Sequence, residues 1–149
     1  MPKGMEEAKV TPIDALKAGL TVDSEMIPAT MRAALMKELK TEMSPKNAPM
    51  LHDPKTTVKL IEANAVVGVI PKGSNGDGKI DLANGDKVGL SCALCHTISD
   101  KSVFNLPDGG SIGKRLDGRA ALTLNVGKLL AIAANSRAYY PNLATRTWR

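Results

Sequence analysis

Both cysteines of the chain and one of its two histidines fall within five consecutive residues, Cys92-Ala93-Leu94-Cys95-His96. Thiols three positions apart stand about one helical turn from each other, close enough to form thioethers with the two vinyl groups along one porphyrin edge. The adjacent imidazole can then reach the iron from the proximal side. Cys and His are scarce residues, so a chance match to this C-x-x-C-H arrangement in a chain of this size is expected on the order of once in a thousand. Two other uses of such a pair fit less well. A structural zinc needs four ligands, and the chain offers only His52 beyond the motif and no second cysteine pair. A thioredoxin-like dithiol follows a strand in a βαβ unit, whereas the residues leading into Cys92 read as helical. One covalently attached haem is therefore the expected cofactor, held by Cys92, Cys95 and His96.

The elements that must carry this motif are short. Thr11-Pro12, with Ile13 and Leu16 behind them, reads as a capped turn of helix stopped at Gly19. From Pro28 to about Met43 the apolar residues Met31, Ala34, Leu35, Leu39 and Met43 recur at three and four, which predicts an amphipathic helix ended by Ser44-Pro45. Its methionines read as core packing. Asp53-Pro54 repeats the cap-and-proline start of a helix to about Asn64, and Ala65-Val66-Val67-Gly68-Val69-Ile70 is β-branched and reads as extended. Residues 71–85 are a glycine-rich loop, Asp86 to Cys92 read as a short helix, and Pro107-Asp108-Gly109-Gly110 breaks the chain again. A last helix, capped by Asn125, carries Val126, Leu129, Leu130, Ile132 and Ala133 before Pro141 ends it.

At Gly85-Asp86-Lys87-Val88-Gly89-Leu90-Ser91-Cys92-Ala93-Leu94-Cys95-His96 the chain resembles a c-type cytochrome, in which a helix runs into the haem motif. The resemblance extends over about residues 84–122. It implies a mainly α fold: a small helical cytochrome c-like haem domain at residues 74–149, preceded by a helical N-terminal arm at residues 1–73. It also implies roles for residues after the motif. Pro107, eleven residues past His96, would hold the imidazole N–H with its carbonyl. Ile112 would pack on the porphyrin, and Lys114, Arg115 and Arg119 would face its propionates. The chain departs from the family in two places. Val88 stands where an aromatic residue is expected, and no methionine follows His96, all seven lying between Met1 and Met50.

The sixth position on iron is therefore open among His52, Met50, and an iron left open or completed from another chain or from sequence beyond Arg149. His52 would give a bis-histidine, low-potential haem and Met50 a higher potential. A weaker signal lies in Gly73-Ser74-Asn75-Gly76-Asp77-Gly78-Lys79-Ile80-Asp81, which resembles the centre of an EF-hand or dockerin-type calcium loop. Asn75, Asp77 and Asp81 would be its oxygen ligands. It lacks the acid at the first position and the glutamate at the twelfth, and a Gly-Asp turn that caps the next helix explains the same residues.

Composition bounds the rest. The 149 residues are 43% hydrophobic and 23% charged, which fits a folded domain rather than a disordered chain. Aromatic residues are only 3% and none precedes Phe104, so the first hundred residues hold no stacking platform for nucleic acid. A macrocycle would supply the missing bulk. Residues 1–100 hold 12 basic and 13 acidic side chains, whereas 101–149 hold 8 and 2, so the net charge of +5 is a C-terminal property. The longest uncharged runs, Val88–Ser99 and Ala63–Pro71, are too short to cross a bilayer. The start of the chain has no apolar run of the kind a secretory signal needs.

These readings converge on one-electron transfer by a c-type haem, without an enzymatic acid–base pair, between a protein donor and a protein acceptor. Covalent attachment implies maturation outside the cytoplasm, in the periplasm or the extracellular space. Two further readings stay open: a haem enzyme or gas sensor with five-coordinate iron, and the front part of a longer haem protein.

Overall fold

Proline and a side-chain cap start the first helix where the sequence places it. In the computed structural model, which describes residues 10–132, helix α1 spans Pro12–Lys17, and Thr11 and Asp14 exchange the two hydrogen bonds of a capping box. Strand β1, Thr21–Asp23, follows. Helix α2, Ala29–Leu39, buries Met31, Leu35 and Leu39, and it stops four residues before Met43. Thr41 turns its hydroxyl back onto the Glu38 carbonyl, and Pro45 bars helix at Ser44. Glu38 itself points inward, where its carboxylate accepts the N–H groups of Met50 and Leu51 and so opens a 3-10 turn, Met50–His52. Asp53 then caps helix α3, Pro54–Glu62, by accepting from Lys55 N–H.

Leu16, Ile27, Leu35, Leu51 and Ile61, each at most 2% exposed, are the centre of the apolar core these pieces form. A fully buried aliphatic side chain is worth about 1.5–3 kcal/mol, so this cluster is the main source of stability.

The rest of the chain is built of short strands. Strand β2, Val69–Lys72, pairs antiparallel with strand β3, Lys87–Leu90, and the long connection between them is stitched by Asp86. That carboxylate, 3% exposed, accepts from Ser74 N–H at 2.7 Å and from Asp81 N–H at 2.9 Å. These backbone donors, that of Asp81 first, hold its pKa below the ordinary value. A one-turn helix α4, Ala93–His96, leads directly into strand β4, Thr97–Ser99. Strands β5, Phe104–Asn105, and β6, Ser111–Gly113, follow, then β7, Arg115–Asp117, and helix α5, Val126–Ile132. Strand β6 is the middle of a three-stranded sheet, parallel to β1 and antiparallel to β5, and β7 pairs antiparallel with β4.

The mainly α expectation is thus corrected: the described residues form a mixed α/β fold, with three small sheets beside five short helices. The clearest reversal is at Asp86 to Cys92, read as a helix, of which Lys87–Leu90 are found as β3; a helical lead therefore no longer argues against a dithiol reading of the motif. Gly85 and Gly89 weaken a helix there, and Val88 and Leu90 alternate at the strand period. Two pairings, β1 with β6 and β2 with β3, also cross the boundary drawn between residues 73 and 74. Asn125 does cap α5, accepting from Lys128 N–H. The expected remainder of that helix, from Ala133 to Pro141, lies outside the described residues.

Candidate haem attachment site

Ser91 and Cys92 turn the chain out of β3 into α4. Within this turn Cys92 C=O accepts from the N–H groups of Cys95 and His96 at 3.2 and 3.1 Å, so both thiols and the imidazole ride on one helical turn. The turn is held from two sides. Ser91 N–H donates to the Gly68 carbonyl at 2.9 Å, while the carbonyls of Cys95 and His96 accept from Ala121 and Arg119 N–H at 3.0 and 3.1 Å. Those two carbonyls end a helix too short to satisfy them itself, so the 119–121 segment acts as their cap. Leu94 packs against the apolar core, whereas Cys92, Cys95 and His96 are exposed and both cysteines are free.

Two carboxylates brace the chain immediately after His96. Asp117 accepts from Thr97 Oγ1 at 2.8 Å and Arg115 Nε at 2.7 Å, tying β4 to β7. Asp100 accepts from the hydroxyl and N–H of Ser102 and from Lys114 N–H. Both have lowered pKa values, Asp117 chiefly through Arg115 and then Thr97, Asp100 chiefly through the Ser102 hydroxyl and N–H.

Apolar side chains stand in solvent around this turn. Leu90, two residues before Cys92, is 64% exposed, and Leu122, next to the residue that caps Cys95, is 91% exposed. Leu116, paired with Ile98 across β4 and β7, is also exposed. Exposed thiols and an imidazole on one turn, flanked by unpaired aliphatic surface, fit the donor set and the apolar demand of a covalently attached porphyrin.

The other residues singled out from sequence lie in varied settings. Pro107 sits in an exposed turn between β5 and β6, and no hydrogen bond joins it to His96. Ile112 is 2% exposed on β6, opposite Val22, and is spent in the apolar core. Arg115 pairs with Asp117 and Lys114 with Glu25, whereas Arg119 is exposed with its backbone on the His96 carbonyl. His52 lies on the 3-10 turn packed against α1 and α2, with Nε2 3.0 Å from the Met43 carbonyl, beside a half-buried Met50. In the loop, Asn75 and Asp77 accept the N–H groups of Asp77 and Lys79, and Asp81 caps the 3-10 turn Leu82–Asn84. Their oxygens serve backbone turns, and among the described residues no cluster of three or more His, Cys, Asp or Glu could hold a metal ion.

Sequence reasoning missed the partners of the turn: Gly68, Arg119 N–H and Ala121 N–H. Gly68 did carry a signal, being a lone glycine inside a β-branched run, a pattern that marks close backbone approach. No family model, curated protein or solved structure matches the chain. Among the described residues, no helix is long and apolar enough to cross a membrane.

Proposed function

We propose that this chain is a c-type electron-transfer protein, with one haem bound through Cys92 and Cys95 and His96 as the proximal ligand. The observation that carries the reading is the attachment turn itself, which presents two free thiols and an imidazole outward from a backbone fixed on both flanks. Attachment is balanced without an oxidant: each S–H adds across a vinyl double bond, a carbon–sulfur bond replaces the π bond, and the thiol hydrogen ends on the neighbouring carbon. Bound there, the haem supplies a reversible one-electron change at iron.

The chain's own residues then orient and shield. Arg119 and Ala121 hold the carbonyls behind the imidazole, and Leu90, Leu116 and Leu122 offer apolar surface that keeps water from the site. Arg119, exposed and without a carboxylate partner among the described residues, is the cation best supported for a propionate. Protein donors and acceptors of electrons are the partners this reading requires, in the periplasm or outside the cell. His52 is the distal ligand it favours, in exchange for its hydrogen bond to Met43.

A second reading, a haem enzyme or gas sensor with five-coordinate iron, is favoured by that same bond, which occupies His52 Nε2. Optical spectra of the matured protein, oxidised and reduced, with the pyridine haemochrome and His52→Ala alongside, test both. A covalent c-type signature with low-spin iron that turns high-spin in His52→Ala is the expected result. High-spin iron that binds carbon monoxide in the unaltered protein selects the second reading. Failure to attach haem in a host equipped for c-type maturation overturns both.

A further inference from the structure

The attachment turn lies against a residue far from it in sequence. Gly68 has φ +81°, a conformation L side chains rarely adopt, and its α-carbon faces the backbone of Leu94, the middle of C-x-x-C-H. A β-carbon at 68 would overlap Leu94 N and Cα and would lie 2.6 Å from Leu94 Cβ. Ordinary carbon contacts begin near 3.5 Å, so any side chain there pushes the turn outward by about 1 Å. The atoms in the way are mostly backbone, so no rotamer change relieves the overlap. The Gly68 carbonyl meanwhile accepts from Ser91 N–H, and Leu94 sends its side chain into the core. Gly68 thus fixes both the entry of the turn and its height above the protein body.

We infer that Gly68 is the seat of the haem-bearing turn, a positioning residue that sets where Cys92, Cys95 and His96 stand relative to the flanking apolar surface. The inference rests on the haem reading for its consequence, not for its geometry. Glycine is required at 68 because of close approach, and Gly85 supplies the contrast. Its φ is +97°, yet a β-carbon there would have nothing within 4 Å. Gly68→Ala and Gly85→Ala carry a similar backbone penalty, and only the first displaces the motif.

The experiment compares both variants with the parent after maturation, by covalent haem content, absorption spectrum and midpoint potential. Gly68→Ala is expected to lose attached haem, or to keep it with altered iron bands and a shifted potential, while Gly85→Ala keeps the parent spectrum and potential. Parental spectrum and potential in Gly68→Ala would overturn the inference. Should Gly68→Ala fail to fold, amide exchange in the unaltered apoprotein decides. Ser91 N–H is expected to be protected at the level of Ala65, whose N–H is bonded to Leu60 within the core segment. Fast exchange at Ser91 would sink the idea. A chain that never takes up haem would refute the functional reading and leave the Ser91 test standing.

Discussion

From Val10 to Leu82 the chain is held mainly by fully buried hydrocarbon, and from Gly85 to Leu129 by polar stitches together with half-buried side chains that lean on that core. Within residues 10–129, every buried aliphatic side chain lies in the first segment except Ile112. Beside Ile112 and three glycines, the buried residues of the second are polar, Asp86, Thr97, Ser99 and Ser111, with Ser99 Oγ donating to Ser111 Oγ at 2.8 Å. Four of its large aliphatics, Leu90, Leu116, Leu122 and Val126, face water, while others such as Leu94, Leu106 and Leu124 lie half-buried against the first core. Hydrogen bonds contribute about 1 kcal/mol each in net terms, so stitches fix geometry more than they supply stability. The first segment is thus the main source of stability, and the second a shaped surface that leaves some of its apolar groups in solvent.

The comparison breaks most decisively at Ile112, the one fully buried aliphatic residue of the second segment, which joins half-buried Leu94, Leu106 and Leu124 on the first core. Ile112→Ala should cost about 2–5 kcal/mol, read as a lowered urea midpoint of the apoprotein. At neutral pH, where the carboxylate stitches are intact, Ile112 ties the two segments together, so amides of β4 and β7 and those of α3 should lose protection together. Loss confined to β4 and β7 would show that the second segment unfolds by itself.

A smaller effect of opposite sign is expected within the first segment. Thr57, 4% exposed, has a hydroxyl with no hydrogen-bond partner, on the wall of a small cavity lined by Leu16, Leu51 and other core residues. Thr57→Val keeps the shape and removes the orphan group, so the apoprotein should gain about 1 kcal/mol. A loss would mean that the hydroxyl has a partner, such as a buried water, and that the first core is less dry than described.

How much of this was legible in the sequence follows the same division. Caps and prolines act locally, so Thr11-Pro12 and Asp53-Pro54 marked the starts of α1 and α3, and Asn125 that of α5. That Cys92, Cys95 and His96 share one helical turn was legible, because spacing alone sets it. What sequence could not convey was pairing at a distance: β1 with β6, β2 with β3, and the backbone donors of Arg119 and Ala121 on α4. Strands of two to four residues carry almost no periodic signal, and the resemblance at residues 85–96 drew Lys87–Leu90 toward helix. Ile112 was rightly apolar, but nothing local distinguished a core position from a cofactor contact.

Acid should separate the segments by another route. Asp86, Asp100 and Asp117 all belong to the second, and all have pKa values held below the ordinary 3.8 by the hydrogen bonds they accept. A carboxylate whose folded pKa is depressed adds stability that is fully present above its unfolded value. As pH falls below about 3.8 the unfolded chain takes up protons first, and that stability drains away until the folded carboxylate is itself protonated. Amide exchange followed downward from pH 5 should show β4 and β7 loosening before α3. Simultaneous loss would mean that the stitches are not what holds the second segment.

The smallest effect on the apoprotein is the most telling for function. Leu122 is 91% exposed, so Leu122→Ser should change apoprotein stability by no more than about 0.5 kcal/mol. If its side chain is surface kept for a guest, the same substitution should destabilise the haem-loaded protein measurably more. Each buried methylene is worth about 0.8 kcal/mol, and a leucine that becomes covered loses several of them on truncation. Thermal or urea unfolding of the two variants, with and without haem, gives the four numbers needed. A loaded protein as indifferent to Leu122→Ser as the empty one would make this leucine ordinary exposed surface. The apolar argument for the site would then rest on Leu90, on the strand that leads into the turn, and Leu116, across from Ile98 on the strand that leaves it.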